Sequence, residues 1–175
     1  MKPVLLIIAQ LNFQPIEYRD TRDELEKSGF DVIVASISNE VAVGKDGTEV
    51  QPDIAVDDVS ADNYSAVAVI GGPGATVLAK YESVLNLLQD FSKKGKVVAG
   101  ICIAPTVLAA SGVLKGKKAT VWNGDQLQDQ VLKKYGANYV PEHVVVDGKM
   151  VTADGPMASR DFGKAIAKLL KSKEG

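Results

Sequence analysis

Residues 96–109 read Lys96-Val97-Val98-Ala99-Gly100-Ile101-Cys102-Ile103-Ala104-Pro105-Thr106-Val107-Leu108-Ala109. The run from Val97 to Ile101 is apolar without polar alternation, the pattern of a strand buried on both faces. Pro105 suits the first turn of a helix, where its missing N–H costs nothing. A strand therefore gives way to a helix within two or three residues of Cys102. Gly100 and Ala104 stand two residues before and after the cysteine. That small-x-nucleophile-x-small spacing is the one a nucleophile elbow needs, because strand and helix pass close together there and the turn strains the nucleophile's backbone. Free N–H groups at the helix start favour a thiolate, so the Cys102 pKa is expected below the ordinary value of about 8.5. A lone cysteine in an apolar run is by itself a small buried hydrophobe. The turn around this one makes it a candidate functional thiol.

Outward from this turn, similar short apolar runs recur at Val4–Ala9, Val32–Ser36, Ala66–Ile70, Ala119–Trp122 and Met150–Ala153. Helical spacing fills the gaps: Ile16–Lys27, Val84–Lys94, Pro105–Ser111, Leu127–Tyr135 and Phe162–Leu170. Strand-helix alternation of this kind predicts a doubly wound α/β sandwich with a mostly parallel sheet. Asp46-Gly47 and Asp147-Gly148 each sit between Val-rich flanks and predict two small antiparallel hairpins added to the main sheet. No repeat, low-complexity segment or linker interrupts the chain, so 1–175 reads as a single domain. The polar tail from Lys171 to Gly175 is expected to fray.

Composition bounds the function. Hydrophobic residues make up 46% of the 175 and charged residues 24%, and the net charge of −2 gives no basic excess for nucleic acid. Charges break every apolar run before the roughly 20 residues of a membrane span. The first apolar run reads as a buried strand rather than a signal peptide, since no small-residue cleavage pattern follows. One cysteine cannot form an internal disulfide, which fits a reducing, cytoplasmic setting.

A second feature is Val69-Ile70-Gly71-Gly72-Pro73-Gly74-Ala75, directly after a buried strand. Its glycines permit close backbone approach, and their N–H groups can form an anion-binding nest or oxyanion hole. A simple glycine turn is the plainer alternative. No Gly-Lys-Ser/Thr follows, and the first strand leads into Gln10–Gln14 without a glycine fingerprint, so neither motif asks for a nucleotide. Glu17 lies near the start of the first helix, but spacing alone does not single it out among the glutamates.

The Gly71-Gly72 turn, the Gly100-Ile101-Cys102-Ile103-Ala104-Pro105-Thr106 elbow and the closing Thr152-Ala153-Asp154-Gly155-Pro156 together resemble the DJ-1/PfpI superfamily, in the same order and over nearly the whole chain. The resemblance implies a flavodoxin-like three-layer sandwich with the cysteine on the elbow and Glu17 beside its sulfur. It implies symmetric homodimers or larger assemblies, no cofactor and no metal. The activities it implies are glyoxalase (methylglyoxal to lactate), deglycase, peptidase, hydratase, and redox-sensor or chaperone roles. A carboxyl crowded against a thiol tends to keep its proton, so the two would titrate as a coupled unit.

Departures narrow this range. Relatives of the protease branch carry His after the nucleophile, where this chain has Ile103. Glyoxalase-like relatives carry His on the strand after the elbow helix, where Trp122 stands. The one histidine, His143, precedes the late hairpin and is expected away from the site. Many relatives have Arg before the closing Gly-Pro, where this chain has Asp154, so an anion contact from that position is lost. The expected site is thus Cys102 and Glu17, with Gly71, Gly72, Ile103 and Trp122 around substrate or oxyanion. Two functions remain: turnover of small reactive carbonyls at Cys102, or a stress sensor whose Cys102 oxidises to sulfinate. Peptidase activity is disfavoured. A flavin carrier rests on fold analogy alone.

Overall fold

The computed structural model describes residues 1–172. In chain order the strands are β1 (Val4–Ile7), β2 (Leu11–Phe13), β3 (Val32–Ser36), β4 (Ala42–Gly44), β5 (Glu49–Val50) and β6 (Ile54–Ala55), then β7 (Ala66–Val69), β8 (Val97–Ile101), β9 (Lys118–Ala119), β10 (Asn138–Tyr139), β11 (Val144–Asp147) and β12 (Met150–Ala153). The α-helices are α1 (Pro15–Lys27), α2 (Glu82–Lys93), α3 (Pro105–Ser111), α4 (Gln128–Lys134) and α5 (Ser159–Ser172).

The main sheet runs β11-β12-β8-β7-β1-β3-β6. Every neighbouring pair is parallel except β11 with β12. Consecutive residues of β1, β7, β8 and β12 are all buried, so both faces of the sheet are covered. The helices that cover them form two groups: α1 packs along α5, and α2 and α4 pack against α3. This is the expected three-layer α/β sandwich. The order of its long parallel strands, β3-β1-β7-β8-β12, reverses direction between β1 and β7. In open α/β sheets, ligands bind beyond the carboxyl ends of the strands at such a switch point.

Local chemistry sets the helix that enters this crevice. Gln14 caps α1, its Oε1 accepting from Ile16 N–H at 3.2 Å, and Pro15 fills the first helical position. The other end stops at Gly29, whose φ of +92° lets Phe30 N–H return to Leu25 O at 3.0 Å.

Three sequence expectations change. The Asp46-Gly47 hairpin forms, but β4 and β5 build a separate small sheet with β2 rather than joining the main one. β2 itself lies in Gln10–Gln14, whose polar-apolar alternation is too short to mark a strand from sequence. The run Ala119–Trp122 is a strand only through Ala119, paired with β10 in a two-stranded sheet. Beyond it, Thr120 N–H goes to the Thr152 Oγ1 side chain at 2.9 Å and Trp122 N–H to Cys102 O at 2.8 Å, which ends the ladder. At the carboxyl end, Lys171 and Ser172 belong to α5; the rest of the tail expected to fray lies outside the described residues.

Candidate active site

Cys102 occupies the turn between β8 and α3 with φ +64°. That left-handed conformation costs a residue with a side chain about 1–2 kcal/mol. Hydrogen bonds hold it from both sides: Cys102 N–H donates to Ala153 O at 2.8 Å, and Cys102 O accepts from Trp122 N–H at 2.8 Å. The small flanking residues are required by space. A Cβ on Gly100 would meet Leu108 Cδ1 at 3.0 Å and the Ala104 carbonyl carbon at 3.3 Å.

Glu17, on the first turn of α1, is fully buried. Its Oε1 accepts from Gly71 N–H at 2.9 Å, while Oε2 has no hydrogen-bond partner within normal geometry. The Cys102 thiol lies against this carboxyl, and each group perturbs the other's ionisation. Gly71 makes this approach feasible, since a Cβ there would lie 2.6 Å from Cys102 Cβ and 2.7 Å from Glu17 Oε1. Gly72, at φ +107°, passes equally close to the backbone of residues 12–14.

Burial raises the Glu17 carboxyl to about 7, against smaller opposing effects of Gly71 N–H, Cys102 and Lys45. The Cys102 thiol is pushed up to about 12, first by burial and then by the charge on Glu17, while the N–H groups of Gly72 and Ile103 favour the thiolate. The helix start therefore does not dominate as the sequence suggested. Two groups this close cannot both be charged cheaply, so the pair sheds one proton near neutrality and keeps the second far above it.

One proton thus remains shared across the physiological range. Glu17 is wholly enclosed with a single N–H donor, whereas the sulfur is partly exposed and has two. A negative charge costs less on the more solvated, better-donated atom. We therefore place the remaining proton on Glu17 Oε2, where it satisfies that oxygen and donates to the sulfur.

Above the pair opens a cavity of about 370 Å³, lined by Gln14, Lys45, Gly72, Pro73, Thr76, Cys102, Ile103, Trp122 and Pro156. Of the residues expected from sequence, Cys102, Gly72, Ile103 and Trp122 meet in it, and Glu17 lies directly beneath. Gly71 is also at the site, but its N–H is occupied by Glu17 and does not face the open space. His143 is elsewhere: its side chain is 89% exposed and its Nδ1 lies 3.0 Å from Asp154 Oδ2. Lys45, Gln14 and Thr76 escaped the sequence reading. Only the Asp46-Gly47 turn signal hinted that Lys45 would stand at a loop tip. Among the described residues no group of three or more His, Cys, Asp or Glu side chains could hold a metal ion. A second cavity, about 270 Å³ between β2 and residues 74–81, carries no charged side chain.

Comparison with known proteins agrees with this geometry. The DJ-1/PfpI family model matches residues 2–169. An uncharacterized protein of Methanocaldococcus jannaschii is 37% identical over 169 residues, spanning 96% of this chain and 82% of that protein. Deglycase PfpI of Pyrococcus furiosus is 30% identical over 167 residues, spanning 95% and 99%. The crystal structure of a ThiJ/PfpI domain protein from Brachyspira murdochii superposes with a TM-score of 0.92 at 30% identity, covering 98% of this chain and 99% of that one.

Proposed function

This chain belongs to the DJ-1/PfpI family, and from that premise we propose that it converts small reactive carbonyl compounds, α-oxoaldehydes first among them, through Cys102. The observation that carries the proposal is the fully buried Glu17 carboxyl set against Cys102 at the floor of an otherwise largely apolar cavity. A relative named as a deglycase supports a carbonyl-acting role.

The Cys102 sulfur attacks the aldehyde carbon. A C–S bond forms, the carbonyl electron pair moves onto oxygen, and Glu17 supplies the proton that neutralises it. The N–H groups of Gly72 and Ile103, which face the sulfur, serve as the donors for the developing oxyanion in this mechanism; Gly71 serves indirectly, by holding Glu17. Glu17, now a carboxylate, removes the hydrogen on the sulfur-bearing carbon and returns it to the neighbouring carbon, while the hydroxyl proton passes to the neighbouring oxygen. Water then cleaves the resulting thioester and frees a 2-hydroxy acid. The net change adds one water and needs no electron acceptor. Trp122 and Ile103 wall the cavity, and the site acts without cofactor.

One observation favours a second reading. No imidazole lies in the cavity, since His143 points to solvent and pairs with Asp154. Glu17 must then carry every proton, which suits slow turnover or a thiol that reacts once. In that reading peroxide oxidises Cys102 to the sulfenic and then the sulfinic acid, peroxide itself being reduced, and Glu17 hydrogen-bonds the product. Methylglyoxal conversion by wild type and Cys102→Ser, with intact mass after graded peroxide, tests both. Conversion lost in the Ser variant supports the enzyme. No conversion, with a clean addition of two oxygens at Cys102, supports the sensor. A normal rate from Cys102→Ser removes the thiol mechanism.

We further propose a symmetric homodimer or larger closed assembly in the cytoplasm, as the family resemblance and the single free cysteine suggest. No helix among the described residues is long and apolar enough to cross a membrane.

A further inference from the structure

The cavity over Cys102 has one charged side chain in its lining, Lys45. Its place is built by the small sheet. Gly44 ends β4 with its N–H on Thr48 O at 2.7 Å, and Gly47 N–H turns back to Gly44 O at 3.0 Å. Asp46 Oδ1 accepts from Thr48 N–H at 2.9 Å, closing the turn. Lys45 N–H is itself tied to Phe13 O at 2.9 Å, in the segment that leads into α1. A Cβ on Gly44 would lie 2.7 Å from Pro15 Cγ, so the hairpin tip is pressed against the start of the helix that carries Glu17. The residue after Gly44 is thereby set over the cavity.

The Lys45 ammonium has no carboxylate within ion-pair distance; the described ion pairs of this protein all lie elsewhere. The nearby Asp46 carboxylate is engaged by its own turn, with Arg19 as a neighbouring cation. On the opposite wall, the segment that closes the cavity offers Pro156, and Asp154 before it faces His143 rather than the cavity. The cavity is therefore one-sided: apolar at Pro73, Ile103, Trp122 and Pro156, cationic at Lys45, and amide or hydroxyl at Gln14 and Thr76.

We propose that Lys45 is a specificity-determining residue, selecting α-oxoaldehydes that also bear a carboxylate over neutral ones. The proposal rests on the carbonyl reading of the site, yet its electrostatic content can be measured without turnover. A neutral carbonyl gains nothing from an unpaired ammonium. An anionic one replaces water there with a charge-assisted contact. It also offsets the repulsion that an anion would otherwise meet from the negative Glu17–Cys102 pair.

The experiment compares alkylation of Cys102 by iodoacetate and by iodoacetamide, near-isosteric reagents that differ in charge. The readout is the ratio of the two rates in wild type, Lys45→Met and Lys45→Arg. Any effect of Lys45 on thiolate population alters both rates alike and cancels in the ratio. Loss of the ammonium should lower the iodoacetate-to-iodoacetamide ratio about three- to fivefold at low ionic strength, the range of an exposed charge contact. The drop should shrink in 0.5 M salt, and Lys45→Arg should keep the wild-type ratio. An unchanged ratio in Lys45→Met would overturn the proposal. A second arm measures conversion of 4,5-dioxopentanoate, an α-oxoaldehyde that carries a carboxylate, and of methylglyoxal by the same variants. If neither is turned over while the alkylation ratio still falls, the carbonyl reading fails and the anion selectivity of the site stands. If both are turned over and Lys45→Met leaves their relative KM unchanged, the selectivity fails and the carbonyl reading stands.

Discussion

Replacing Glu17 with Gln removes the charge and the shared proton while keeping the side chain's shape. Where the proton sits decides the sign of the result. With the pair shedding its first proton near 7, about three-quarters of the wild-type protein is singly deprotonated at pH 7.5. If the remaining proton is on Glu17, nearly all of that population is thiolate. In Glu17→Gln the thiol titrates alone. Even at its ordinary value of about 8.5, without the burial that raises it further, only about 9% is ionised at that pH. The iodoacetamide rate at pH 7.5 should then fall at least about eightfold in the variant, and the wild-type inflection near 7 should vanish. The assay is stopped-flow or mass-resolved alkylation from pH 5 to 10. If the proton instead sat on sulfur, Glu17→Gln would remove a charge that holds the thiol up, and alkylation would accelerate. An unchanged or faster rate in the variant would refute the placement of the proton on Oε2.

The same pair makes stability depend on pH. The carboxyl titrates near 4.5 unfolded, whereas the folded pair sheds its first proton only near 7, so the folded state binds more protons between those values. Stability should fall as pH rises from about 4.5 to 7, by on the order of 3 kcal/mol for this group alone, and Glu17→Gln should flatten that slope in urea titrations; an equal slope in both proteins would contradict the raised carboxyl. Gly71→Ala places a Cβ 2.6 Å from both Cys102 Cβ and Ile101 O, so it should cost about 1–3 kcal/mol by thermal or urea denaturation, and an Ala variant as stable and as reactive as wild type would show that the close approach is not required. Trp122 can donate but not accept a proton, so Trp122→His should raise methylglyoxal conversion, within the roughly 10²–10⁴-fold that a positioned acid-base group gives; an equal rate would mean that the indole position is not in the proton path. Light scattering should return more than the 18.5 kDa of one chain at micromolar concentration, and a monomer mass would exclude the proposed assembly.

Much of the frame was legible because its signals are local. β8, Cys102 and α3 follow from a Val-rich run, two small residues and a proline, and the structure realises each where it was expected. The site's position follows from order alone, since the loops after β1, β7 and β8 must meet where the parallel sheet reverses. What escaped depends on contacts across the chain. β2 is a three-residue strand whose polar-apolar alternation is too short to read as one, and it forms where β4 is there to pair with it. The strand expected to reach Trp122 stops at Ala119 because a threonine side chain on β12, rather than a neighbouring strand, takes the next N–H.

The thiol shows the difference most clearly. A helix start beside a cysteine argues for a depressed pKa, and that local argument is sound as far as it goes: the Ile103 N–H does favour the anion. It is outweighed first by burial of the sulfur and then by the Glu17 carboxyl, 85 residues earlier in the chain, and no window of sequence around Cys102 contains that pairing. Burial alone would silence both groups. Placed together they are not silenced, because each supplies what the other's desolvation removes: a proton donor for the sulfur and a polar partner for Oε2. The proposed reactive state of Cys102 is thus a property of the pair, which Gly71 permits by leaving room for the approach. Gly71 has no reactive group of its own, and only the fold brings it and Glu17 to the cysteine.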